Sequence, residues 1–334
     1  MKIKSASLFL ALVMILSAFA GTFTVSAEGE TAAPWSVNGA RYETFDAAVD
    51  AAVGGDTIYL HEDTKNTIET NAVYYINKDV TIEGVAKADG SYPTLGIQIR
   101  WRRYAVTANG DDDYVEVLFK NMTIDFLYAY NYLYMVGNNC SLTFDNVDIV
   151  LTQGHTSNVY GATFLVAGND SELTFRNSTV TAKDKYYPCQ DYKALIAFYL
   201  QENLSEAPSG NLITIDNTQI NLKSCMKTCG LFWTKHTDNA LVIRNSTIDT
   251  TDDAEVLVPS DFPVNLRGTN VINGVTSVNE DIDYLIYDRD AKAEGYIARV
   301  GEVKDAIKRD EQGNVEFIGY YNTAKEAFEG NCNA

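Results

Sequence analysis

The sequence predicts an all-β chain coiled as a right-handed parallel β-helix, a solenoid of stacked strands. Three observations predict it: a short strand phrase that recurs, an Asn or Gly that closes each copy, and uneven intervals between copies. The phrase appears as Val80-Thr-Ile-Glu-Gly84, Val117-Leu-Phe-Lys-Asn121, Leu142-Thr-Phe-Asp-Asn146, Leu173-Thr-Phe-Arg-Asn177, Ile213-Thr-Ile-Asp-Asn217, Leu241-Val-Ile-Arg-Asn245 and Val264-Asn-Leu-Arg-Gly268. In every copy apolar residues stand four and two positions before the closing residue, and this period of two marks a half-buried strand rather than a helix face. Six of the seven copies add an apolar residue three positions later: Ile124, Ile149, Val180, Ile220, Ile248 and Val271.

The closing residue must turn the chain sharply, and Asn and Gly tolerate the left-handed backbone angles that such a turn requires. The intervals between closing residues are 37, 25, 31, 40, 28 and 23 residues, too uneven for a meander of fixed hairpins. They suit a solenoid, in which the short turns stay constant and one longer loop per coil absorbs insertions. Asn121, Asn146, Asn177, Asn217 and Asn245 are therefore expected to form a ladder along one edge, at about 4.8 Å per rung. Three of them, Asn121, Asn177 and Asn245, also open an Asn-x-Thr acceptor pattern for glycosylation. Their ladder position assigns them to structure, as edge-stacked side chains inaccessible after folding.

At the N-terminus, Lys2 and Lys4 precede an apolar run over residues 8–20 and a Val25-Ser26-Ala27 cleavage pattern, so residues 1–27 read as a signal peptide. The run is short for a membrane span, and no other segment reaches that length. The mature chain is expected outside the cell, in solution or associated with the cell surface. Residues 28–36 read as a linker and 37–278 as the β-helix. An exposed solenoid end needs a cap, and the helical spacing of Phe45, Ala48, Val49 and Ala52 places an N-terminal capping helix there. Residues 279–334 are a C-terminal cap or a truncated second unit, since Tyr321, Thr323, Ala327 and Phe328 echo the spacing of Tyr42, Thr44, Ala48 and Val49.

The formal charge of -19 becomes two units more negative once the leader is removed, which disfavours nucleic acid and anionic membranes as partners. Five cysteines in an exported chain leave one unpaired and are too few for a disulfide framework. Cys189 and Cys229 each follow a ladder Asn by twelve residues, so they are the candidate disulfide between stacked coils. Cys225 with Cys229 is the competing pair, a state with all five as thiols stays open, and Cys140 and Cys332 have no obvious partner. No zinc site is expected, because Cys225 and Cys229 lack a second Cys/His pair.

The opening helix and the strand Gly55-Asp-Thr-Ile-Tyr-Leu60, together with the repeated phrase, resemble extracellular bacterial members of the pectate-lyase-like, right-handed β-helix superfamily. The resemblance covers roughly residues 37–278 and implies the fold. That superfamily holds lyases, hydrolases, esterases, adhesins and surface proteins, so the resemblance implies no single activity. Asp252-Asp253 matches the paired aspartates of its polygalacturonase-like hydrolases, but the accompanying Asn-Thr-Asp, Gly-His-Gly and Arg-Ile-Lys patterns are absent. No catalytic residue carries over, and His155 and His236 lack a partner motif.

Counting back from the phrase aligns Leu133-Tyr-Met135, Phe164-Leu-Val166, Phe198-Tyr-Leu200 and Phe232-Trp-Thr234. If the flanking residues face inward, Tyr134, Leu165, Tyr199 and Trp233 form an outward column, with Tyr132 one step along. Such a column can stack on sugar rings; alternatively it underlies a loop, for which residues 184–209 are long enough. Arg100, Trp101, Arg102 and Arg103 form a basic cluster beside it, with Lys235 and His236 as neighbours. The cluster would complement an acidic glycan or pair with Asp111, Asp112 and Asp113. The stretch at 109–113 carries enough oxygen ligands for calcium without a full EF-hand pattern; no other cofactor or metal is expected. The expected function is binding of a polysaccharide, a cell-surface glycan or another extracellular ligand through that outward aromatic face without catalysis, and the alternative is a diverged polysaccharide lyase or glycoside hydrolase.

Overall fold

The computed structural model describes residues 33–68, 73–99, 103–110, 113–129, 134–153, 163–187, 194–198, 208–233, 239–251, 264–278, 284–287, 297–300, 306–309 and 315–319. The leader at 1–27 lies outside them. Among the described residues the chain is all-β apart from one helix, Phe45–Ala51, and its strands lie in one sheet of seventeen, one of six and two of two.

The repeated phrases pair with one another position for position. Val80, Val117, Leu142, Leu173, Ile213, Leu241 and Val264 occupy one column of parallel partners, and Ile82, Phe119, Phe144, Phe175, Ile215, Ile243 and Leu266 a second column two residues on. Their burial alternates as the period of two requires: the strand Val80–Gly84 alternates buried and half-buried residues, as does Leu212–Asp216. The buried rings stack along the column, Phe119 on Phe144 at 5.5 Å and Phe144 on Phe175 at 5.3 Å between centroids, with Phe164 edge-on to the last two. Beyond the closing residue, Ile124, Ile149, Val180, Ile220 and Ile248 pair in turn. The last rung differs from the sequence expectation: Ile248 pairs with Ile272, not Val271, because one extra residue enters the turn after Gly268.

Asn121, Asn146, Asn177, Asn217 and Asn245 all take left-handed backbone angles, with φ between 45° and 56°, and Gly268 does the same at 68°. Gly84 does not; it ends the strand, and a Cβ there would stand 2.0 Å from the carbonyl oxygen of Asn121, so close approach rather than turning requires it. The ladder side chains also depart from expectation. Asn146, Asn177, Asn217 and Asn245 are exposed, not hidden, because a left-handed turn on the outer edge points the amide away from the core.

The residue after each of the later ladder asparagines goes inside instead. Ser178, Thr218 and Ser246 are buried, as is Asn270, two residues after Gly268, and each side chain receives the backbone N–H of its neighbour: Val147 to Ser178, Ser178 to Thr218, Thr218 to Ser246, Ser246 to Asn270, at 3.0 to 3.4 Å. A second buried polar ladder runs through Cys140, Ser171, Asn211 and Asn239. Asn211 there also donates to the Gly168 carbonyl at 2.8 Å and to Asn239 at 2.9 Å. Both ladders satisfy backbone donors that burial at a corner would otherwise orphan.

The helix Phe45–Ala51 packs Phe45, Ala48 and Val49 into the apolar core. Thr44 caps its start by accepting from the Ala47 N–H at 3.2 Å. Lys78 donates to the Val49 and Ala52 carbonyls at its end, where a cation is favoured. Order in the large sheet begins at Trp35, ahead of the expected boundary at 37: the strand Trp35–Val37 runs antiparallel to Asp56–Leu60 and to Ala40–Tyr42. At the other margin Val275–Val278 runs antiparallel to Thr269–Ile272. Farther on, Tyr284–Tyr287 pairs with Ile297–Val300, and Ala306–Arg309 with Val315–Gly319. The echo of the opening motif at 320–328 lies outside the described residues.

Candidate functional site

The aromatic column is corrected by the small sheet. Its six strands, from Val73–Ile76 to Gly230–Trp233, are parallel. Tyr134 pairs with Tyr104 and Phe164, and Phe164 with Ile196 and then Phe232; Tyr104, Phe164, Ile196 and Phe232 are all fully buried. The backbone register therefore sets Tyr134 opposite Phe164, one residue from the expected pairing with Leu165. Leu165 pairs with Ala197 and Ala197 with Trp233, so Ala197, not Tyr199, stands between them. Leu165 and Ala197 are themselves fully buried. Both faces of this sheet are covered at these rungs, and alternation of apolar and polar residues, which a sequence alignment needs, is lost when both faces are dry. Arg100, Trp101, Arg102, Tyr132, Tyr199, Lys235 and His236 lie outside the described residues, as do Asp111 and Asp112 of the oxygen-rich stretch. Among the described residues no group of three or more His, Cys, Asp or Glu side chains could hold a metal.

Of the expected inter-coil disulfide only one end, Cys229, lies among the described residues. Cys229 carries a free, buried thiol, and Cys225 is free beside it. The neighbouring Cys225 thiol and burial together push the Cys229 thiol well up. Its proposed partner Cys189 lies outside the described residues; three residues earlier the offset that separates the two ladder asparagines is kept, the Met226 N–H donating to the Tyr186 carbonyl at 2.9 Å. Burial also raises the Cys140 thiol to about 11, which makes it a poor nucleophile.

One concave feature lined by described residues lies over the asparagine edge. It is an open groove of about 410 Å³ whose floor includes Asn177, Asn217 and Asn245 and whose one wall is Thr179, Gln219 and Thr247. The wall residues follow the floor asparagines by two positions and pair in register, Thr179 with Gln219 and Gln219 with Thr247. On the opposite side runs a charged column, Glu83, Lys120, Asp145, Arg176, Asp216, Arg244 and Arg267, again paired rung by rung. Its signs alternate from Glu83 to Arg244. Lys120 bonds Glu83 at 3.0 Å, Arg176 bonds Asp145 at 2.9 Å, and Arg244 grips Asp216 with two nitrogens, Nε at 2.8 Å.

The floor amides are linked only in part. Asn146 donates to Asn121 at 2.8 Å, Asn177 to Asp145 at 2.9 Å, and Asn217 to Asn177 at 2.9 Å. The Asn245 oxygen is occupied by the Thr269 N–H at 3.2 Å. The chain of amides breaks between Asn146 and Asn177, where Asn177 turns to Asp145, and again between Asn217 and Asn245: among the described residues neither the Asn217 oxygen nor the Asn245 side-chain nitrogen has a partner, and the same holds for the Gln219 amide and the Thr247 hydroxyl. Sequence reasoning named the floor as structure and overlooked the wall. The signal was there, since a residue two after each ladder Asn must share the outward side of the bend.

No family model matches the chain, and no curated protein matches it. A solved structure titled "Rhamnogalacturonan lyase" aligns over 88% of this chain and 95% of its own, with 10% identity and a TM-score of 0.32.

Proposed function

We propose that this chain is a secreted right-handed parallel β-helix of the pectate-lyase-like kind, capped by the helix Phe45–Ala51, that binds an extracellular glycan without turning it over. The observation that carries this reading is the register. Seven strand phrases pair position for position, so outward polar side chains recur at every rung and present a repeating surface to a repeating ligand. The leader at 1–27 supports export, and the acidic composition supports solubility outside the cell. No helix among the described residues is long and apolar enough to cross a membrane.

A glycan array probed with the exported protein, run beside an assay for unsaturated or reducing sugar ends, tests the reading. Binding to a defined glycan with no product released is expected. Product release would overturn the non-catalytic assignment, and failure to bind any glycan would overturn the function itself.

A further inference from the structure

The second break in the amide ladder sets free a donor, an acceptor and two dual-role groups in one groove. The Asn217 oxygen accepts, the Asn245 nitrogen donates, and the Gln219 amide and Thr247 hydroxyl do both. A sugar hydroxyl is at once donor and acceptor, so vicinal hydroxyls match this alternation better than a ligand of one polarity. Rungs recur at about 4.8 Å, close to the length of one pyranose unit in an extended chain.

Charge narrows the class. The groove-lining side chains are uncharged, and the column beside them neutralises itself through the Asp145–Arg176 and Asp216–Arg244 pairs. A carboxylate on every sugar would meet Asp145 and Asp216 as often as Arg176 and Arg244, within a chain of formal charge -19.

Resting on the glycan-binding reading above, we infer that the groove over Asn177, Asn217 and Asn245 is the binding site, and that its ligand is a neutral, linear glycan lying along the stack with one sugar per rung. Thr179, Gln219 and Thr247 supply the side contacts. The site is separate from the small sheet, where the aromatic column was expected.

The test is calorimetric titration of the exported protein with soluble β-1,4-linked oligosaccharides of glucose, xylose and mannose, and with oligogalacturonate as the acidic comparison. The paired substitution Gln219→Ala with Thr247→Val removes two outward polar groups that hold nothing in the fold. It should weaken binding of the neutral ligand about tenfold or more while the melting temperature stays with the parent, as expected for two lost hydrogen bonds. Thr247→Trp, which fills the groove, should abolish binding, and Thr143→Val on the open sheet face should leave it intact. Parental affinity in a folded Thr247→Trp variant would overturn the site while leaving glycan binding standing. A preference for oligogalacturonate would overturn the neutral class. Failure of the parent to bind any of these, with binding elsewhere on the array, would overturn this site; failure on the whole array would overturn the function.

Discussion

The large sheet and the small sheet draw their strands from the same stretch of chain, yet one was legible in the sequence and the other was not. Along Glu172–Arg176 and Leu212–Asp216 only inward residues are buried, and the pattern repeats at each rung. Along Phe164–Val166 every residue is buried, and Ala194, Leu195, Ile196 and Ala197 are all inaccessible. One wet face makes alternation a strong selector of register, because a slip by one residue would turn the apolar set outward. Where both faces are dry, a slip exchanges one apolar residue for another and leaves no trace in the sequence. The expected alignment therefore missed by one position between Tyr134 and Phe164, and by two between Phe164 and Ile196.

The comparison breaks or sharpens under substitution, and the largest effect is expected at the buried corner that both sheets share. Asn211→Leu removes the acceptor for the Ser171 N–H and the donor to the Gly168 carbonyl, orphaning both in the interior. Chemical denaturation should show a loss of roughly 3 to 5 kcal/mol; a loss under about 1 kcal/mol would remove the ladder from the stability account.

Leu165→Ala tests the dry second face directly. An outward residue would tolerate the change, whereas a fully buried one should lose roughly 2 to 4 kcal/mol in the same measurement. A neutral result would restore the one-sided sheet that the alignment assumed.

At the outer edge the effect should be smaller. Asn177→Leu forces a branched side chain into a left-handed angle of 52° and breaks the bonds to Asp145 and Asn217, for a loss of about 1 to 3 kcal/mol. Asn177→Gly keeps the angle accessible and should fall well below that, so the difference between the two variants measures strain apart from hydrogen bonding. A melting temperature equal to the parent's in Asn177→Leu would sink the ladder's structural role.

The smallest effect belongs to the charged column. Arg244→Ala breaks a bidentate pair with Asp216 whose partners are partly exposed, so its loss should stay under about 1 kcal/mol and shrink further in high salt. A larger or salt-independent loss would mean that the column fixes register rather than decorating it.

By itself the sequence determined the strand phrase, its closing asparagines, the helix at Phe45–Ala51 and the columns of the large sheet. Each rests on a local rule: a period of two at a wet surface, a left-handed turn that few residues tolerate, an apolar stripe at helical spacing. Tertiary structure alone decided which side of each turn is buried, sending Ser178, Thr218 and Ser246 inward while their asparagine neighbours stayed out. It alone decided the register of the small sheet and the break between Asn217 and Asn245 in the groove. Those outcomes depend on loops of unequal length closing onto a common stack, and the distance between two coils in space is not written in the number of residues between them.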